Sequence, residues 1–156
     1  MFWTCSLLML AVALPIESSN KHFSSTLTTS ASPETIWQIW TDVPNWKNWD
    51  TGLQDASMAS AWELGAKGKI LSLEGRKAKF KVVEWVPQES YTYKTQLPLA
   101  RLYVKRSLKT EAGQTIFTHE VWFTGLLGGI FAKALGTSFR EMLPGVLKNI
   151  KEIAES

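Results

Sequence analysis

Cysteine and histidine are almost absent from this chain of 156 residues, which has Cys5 alone of the first and His22 and His119 of the second. One thiol excludes an intramolecular disulfide, and this inventory does not supply the four nitrogen or sulfur ligands of a structural zinc site. Two histidines without compelling neighbours also give no Ser/His/Asp constellation. The glycine-containing loop at 125–129 lacks phosphate-loop spacing. No metal and no other cofactor is expected. Charge of one sign is equally scarce: 17 basic against 14 acidic residues leave a net +3. That balance falls short of the clustered basicity of a nucleic-acid binder, so no nucleic-acid partner is expected. No internal repeat or low-complexity segment appears.

The remaining composition is that of a globular protein, 45% hydrophobic and 20% charged. The length suits one domain with a real core. Eight tryptophans are the unusual feature. Side chains of that size fill cores and also line pockets for flat or apolar ligands, and composition alone does not choose between the two. Residues 7–14, Leu-Leu-Met-Leu-Ala-Val-Ala-Leu, form an apolar run followed by Pro15 and a polar stretch. The run is well below the roughly 20 residues that span a bilayer. It resembles the core of a signal peptide, although no Lys or Arg precedes it. Residues 1–16 are read either as a signal peptide, which would make the protein exported, or as an apolar arm on a cytoplasmic domain. Residues 17–156 are expected to form that single domain.

The last stretch, residues 129–155, organises the rest. Phe131, Leu135, Phe139, Met142, Val146, Ile150 and Ile153 recur at helical spacing on one face, and Ile130, Ala134, Leu143 and Leu147 widen the stripe. The pattern predicts a helix about 40 Å long whose apolar face needs a partner surface. Pro144 is expected to bend this helix without ending it, because the apolar period continues in phase beyond. Upstream, residues 21–29 read as a strand. Ser32, Pro33 and Glu34 supply an N-cap, a first-turn proline and a first-turn acid, and so start a short helix. Pro44 stops it, and Trp46 and Trp49 fall in a second short helical segment. From residue 53 the period becomes two. Strands are expected at 53–61, 67–73, 77–86, 91–97, 101–109 and 114–124, with Lys77, Lys79 and Lys81 turned to water on the clearest of them. One strand, two short helices, about six antiparallel strands and a long helix describe an α+β fold.

The run Ala31-Ser32-Pro33-Glu34-Thr35-Ile36-Trp37, followed by Thr41-Asp42-Val43-Pro44-Asn45-Trp46-Lys47-Asn48-Trp49-Asp50, resembles the opening of SRPBCC (START-like) proteins of the polyketide cyclase/dehydrase and lipid-transport type. The resemblance covers residues 21 to 155. It implies a helix-grip fold, a curved antiparallel sheet of about six to seven strands wrapped around the C-terminal helix, with an apolar cavity between them. It also implies binding or transport of a lipid or other hydrophobic small molecule. The alternatives are a cyclase/dehydrase-like enzyme acting in the same cavity and a filled-core domain without ligand.

A cavity of that kind would draw its lining from Trp46 and Trp49, from Phe80, Trp85 and Tyr93, from Phe117, His119 and Val121, and from Phe131, Leu135 and Phe139. His119 shares a strand face with Phe117, Val121 and Phe123 and is the acid–base candidate if that face is concave. Glu120 replaces it if the other face is. The ordinary reading of His119 is a hydrogen-bonded core histidine. Tyr91, Tyr93 and Tyr103 offer phenols, and Arg106 would pair with an acidic head group. Asp42 and Asp50 read as helix caps. Lys67, Lys69, Arg76, Lys77, Lys79 and Lys81 read as a solvated face, with transient contact at an anionic membrane surface as the functional alternative. Nothing in the sequence fixes the oligomeric state.

Overall fold

One curved sheet takes in every strand expected from the period-two patterns. The computed structural model describes residues 20–156, so Cys5, the apolar run at 7–14 and the alternatives for residues 1–16 lie outside the described residues. The order is β1 (His22–Thr29), α1 (Pro33–Thr41), a 3-10 helix (Val43–Asn48), β2 (Leu53–Met58), β3 (Lys67–Ser72), β4 (Lys77–Val86), β5 (Ser90–Leu97), β6 (Ala100–Glu111), β7 (Gln114–Thr124) and α2 (Gly128–Ala154). The seven strands are antiparallel in the order β1-β7-β6-β5-β4-β3-β2. Register shifts at Leu53/Asp55 and Val82/Glu84 mark bulges, which bend a sheet. The fold is the α+β helix grip, a half-barrel curled around α2.

Local chemistry accounts for the joints. Ser32 accepts the Thr35 N–H at 3.2 Å, and Pro33 opens α1. The orphan carbonyls at the end of α1 are met by aromatic donors: Trp40 O accepts from Trp46 Nε1 and from Tyr91 Oη, both at 2.9 Å, and Thr41 O accepts from Trp62 Nε1 at 2.8 Å. Those three bonds tie α1 to the 3-10 helix, to β5 and to the segment before β3. At the other end of the chain Glu155 Oε1 accepts the Thr29 hydroxyl at 2.7 Å, which fastens the end of α2 to the end of β1.

The stripe on α2 is rotated from its expected centre. Ala132, Gly136, Leu143, Val146, Leu147 and Ile150 are buried, Phe131, Leu135, Phe139 and Met142 are half-buried, and Ile130 and Ile153 are exposed. The cause is the crossing with β1, where a Cβ on Gly136 would lie 2.5 Å from the Phe23 ring. Only small residues allow that approach, so the larger side chains beside them swing over the concave face. Pro144 sits inside α2, as expected.

Candidate functional site

Alternation along β5, β6 and β7 decides which side chains look inward. The registers put Tyr91, Arg106 and His119 in one cross-strand row and Tyr93, Val104 and Val121 in the next. A cavity of about 620 Å³ lies between this face and the middle of α2. Leu97, Leu102, Val104 and Val121 line it from the sheet, Leu135, Phe139, Met142 and Val146 from α2, and Ile70, Leu73 and Ala78 from the β3–β4 hairpin. Asp50, Tyr93, Arg106 and His119 give it a polar wall.

Arg106 is the unusual member of that wall, a guanidinium only 1% exposed. Its Cζ lies 4.3 Å from the Trp46 ring centroid and 4.7 Å from that of Trp49, so two indole faces hold the cation. Its hydrogen bond among the described residues runs from one terminal nitrogen to Tyr91 Oη. Tyr91 Oη in turn donates to Trp40 O, which fixes the phenol as an acceptor toward Arg106. Burial works against the Arg106 charge, but the phenols of Tyr91 and Tyr93 and the Asp50 carboxylate outweigh it, so the group stays cationic. Five donors with one bond made is an under-used guanidinium.

The neighbours share this property. Among the described residues, the buried side-chain nitrogens without a partner are Trp40 Nε1, Trp49 Nε1, Arg106 Nε and His119 Nε2. These four residues touch: the His119 ring centroid is 5.4 Å from that of Trp40 and 5.9 Å from that of Trp49. Buried polar atoms ordinarily find partners, so four unpaired nitrogens in one cluster behind and in the wall are a concentrated deficit. Burial, then the Arg106 charge, hold the His119 pKa well below its ordinary 6.5, so the ring is neutral at neutral pH. Burial raises the Asp50 pKa, opposed by Arg106 and by the Gly52 N–H that Asp50 Oδ1 accepts at 3.0 Å. The Tyr93 phenol is pushed up to about 12 by burial and remains protonated. A neutral imidazole, a fixed cation and a protonated phenol beside an apolar volume would hold an acceptor-bearing molecule or exchange a proton with it.

The sequence model of the family described as "Polyketide cyclase / dehydrase and lipid transport" matches residues 21–155. The chain belongs to this family. No curated protein matches it in sequence. Solved structures resemble it in fold: the hypothetical protein jhp0584 from Helicobacter pylori, at 10% identity and a TM-score of 0.73, with 99% of each chain covered; a START superfamily protein from Mycobacterium smegmatis, at 17% identity and 0.62, covering 86% of this chain and 97% of that one; and the di-domain ARO/CYC StfQ from the steffimycin biosynthetic pathway, at 14% identity and 0.71, covering 89% of this chain and 52% of that one. At such identities the likeness shows the fold alone.

Within this polyketide cyclase/dehydrase and lipid transport domain, Tyr93, His119, Val121, Leu135 and Phe139 line the cavity. Trp46, Trp49, Phe80, Trp85 and Phe117 lie instead in or against the aromatic core beside it, and Phe131 packs with Phe23 and Val121. Rings that large stack on one another, Trp46 on Phe80 at 5.6 Å and on Tyr93 at 5.7 Å, and fill the space they were expected to enclose. The concave face of β7 carries His119; Glu120 is turned to the outer face, where His22 Nε2 meets it at 2.9 Å. Tyr103 is also on the outer face, stacked on Trp122 at 5.2 Å. Asp50 is wall rather than helix cap, and Asp42 Oδ2 accepts from Asn45 Nδ2. An arginine at an inward position of β6, in phase with Leu102 and Val104, was the sequence signal for the polar wall.

The lysines fall on the outer face, as expected, and the register sharpens the picture. Lys67 is opposite Lys81, Lys69 opposite Lys79, and Lys81 opposite Lys94. Like charges directly opposed are mildly destabilising in a sheet.

Proposed function

We propose that this domain binds a hydrophobic small molecule or lipid bearing one acidic or otherwise oxygen-rich end, with the apolar body between the sheet and α2 and the polar end at Arg106 and His119. The observation that carries this reading is the pairing of an apolar volume with a buried, under-bonded guanidinium. A purely apolar ligand would leave the guanidinium under-bonded, whereas a carboxylate, enolate or phenolate would accept from its N–H groups. In this reading the molecule is carried rather than converted.

The test is native mass spectrometry of the purified chain with solvent extraction of anything bound. A reproducible extra mass, released as an amphipathic acid or phenol, is the expected result. A clean apo mass, with no quenching of the tryptophans by long-chain acids, lipids or aromatic polyketides, would overturn the reading and favour a domain without ligand.

A second reading is a cyclase/dehydrase-like enzyme with His119 as general base, favoured by the neutral imidazole in the cavity wall. His119→Ala separates the two: a carrier retains binding, and an enzyme loses turnover of a polyketide substrate.

A further inference from the structure

Exposed apolar side chains stand at both ends of the sheet, Leu64 and Val86 at one and a larger group at the other. The β3–β4 turn, the β5–β6 turn, the β7–α2 loop and the first turn of α2 all lie at one end of the sheet, because β3, β5 and β7 finish there and β4 and β6 begin there. Leu73, Leu99, Leu126 and Ile130 stand at these four places, and each is 65 to 83% exposed. Leu99 and Leu126 belong to touching loops, since the Leu127 N–H donates to Leu99 O at 3.1 Å, and Ile130 is a turn further on. Leu99 also holds a left-handed backbone, with φ 50°, a region a leucine rarely occupies. Leu73, with its neighbours Glu74 and Arg76, also lines the cavity, as do Leu97 and Ala134, so the cavity reaches this same end.

The charges at the two ends differ. Near the apolar turns stand Arg76, Lys77, Arg101 and Lys133, with Glu74 ion-paired to Arg76 at 2.7 Å. The opposite end carries Glu63 and Glu89, together with Glu111 and Glu152, which are ion-paired with Lys109 at 3.0 Å and with Lys148 at 3.8 Å. The chain also enters the domain at the basic end: the Phe123 N–H donates to Lys21 O, and a Cβ on Gly129 would touch the Lys21 side chain.

We infer that this end docks on an anionic lipid bilayer, Leu99, Leu126 and Ile130 entering the interface and the surrounding basic side chains meeting the lipid head groups. Exposed apolar side chains ringed by cations suit that surface, whereas the outer-face lysines carry no comparable apolar display. The docked pose puts the cavity next to the bilayer, a source and sink for amphipathic cargo. Docking stands on the exposed face by itself; passage of cargo there rests on the ligand reading above.

The test is flotation of the full chain with vesicles of phosphatidylcholine alone and of phosphatidylcholine with phosphatidylserine. Binding to the anionic vesicles should exceed binding to the neutral ones and fall at high salt. The triple variant Leu99→Ser, Leu126→Ser, Ile130→Ser should lose at least about tenfold, because three large apolar side chains leave the interface. A solvatochromic dye on Leu126→Cys, in a Cys5→Ser background, should shift to the blue on anionic vesicles, and the same dye on Leu64→Cys at the other end should not. Equal flotation of the triple variant and wild type would overturn the inference by assigning attachment to residues 7–14 alone. A blue shift without vesicles that grows with protein concentration would also overturn it, making the face a contact between copies. Ser138→Phe, which obstructs the cavity, should float like wild type, so failure of the ligand reading and failure of docking give different results.

Discussion

The two halves of α2 meet different interiors. Its C-terminal half, through Leu147 and Ile150, packs in one buried cluster with Ile36, Trp40, Trp49 and Phe117. Its N-terminal half, through Leu135 and Phe139, looks across about 620 Å³ at Leu97, Leu102 and Val121. The helix presents apolar residues at the same spacing in both halves, so the helix does not make the difference. The opposing side chains do. Indoles and phenols supplied by α1, the 3-10 helix and β5 reach far enough to fill one half. Leucines and valines on the sheet are too short to fill the other. The polar wall of Asp50, Arg106 and His119 stands at the boundary between them.

The comparison breaks most readily at Trp40. Trp40→Ala, in the filled half, should cost about 3–5 kcal/mol of unfolding free energy by urea titration. Phe139→Ala, in the hollow half, should cost about 1–2 kcal/mol, because its ring is already half-exposed. Equal losses would contradict the division. The seam between helix and sheet is tested next. Gly136→Ala should cost about 1–3 kcal/mol by driving a methyl into Phe23, whereas Gly145→Ala, with open space around its Cβ, should be neutral or stabilise by up to about 1 kcal/mol in thermal melts.

At the boundary the expected effect depends on pH. The His119 pKa is lowered in the folded state, so between that value and 6.5 the unfolded chain binds the extra proton. Stability from this group is complete above 6.5 and falls as pH drops below it, by at most about 1.4 kcal/mol per pH unit. His119→Gln should remove that part of the slope when urea titrations are repeated from pH 7 to 5. An unchanged slope would place the imidazole in contact with water. The smallest expected stability change is in the hollow half: Ser138→Phe, at an exposed position on the cavity rim, should shift unfolding by less than about 1 kcal/mol while abolishing ligand uptake in a binding titration.

Most of the fold was legible because each element carries its own periodicity. The alternation at Lys77, Lys79 and Lys81, the Ser32-Pro33-Glu34 helix start and the long α2 stripe all survive in the structure. The site was legible only in part. Period two put His119 and Val121 on one face, but whether that face was concave depended on sheet curvature, which no single strand encodes. Trp46 and Trp49 looked like cavity walls because size does not reveal whether a ring encloses space or occupies it. Asp50 looked like a cap because the Arg106 charge that acts on it lies 56 positions away, beyond any local pattern.

The most direct test of the central claim uses ligand chemistry and leaves the protein unaltered. Isothermal titration of the full chain with a long-chain fatty acid and with its methyl ester compares two molecules of nearly equal apolar surface, only one of which brings an anion to Arg106. The account predicts that the acid binds at least about tenfold more tightly than the ester, the effect of one charge-assisted hydrogen bond. Equal affinities for the two, or tighter binding of the ester, would contradict it.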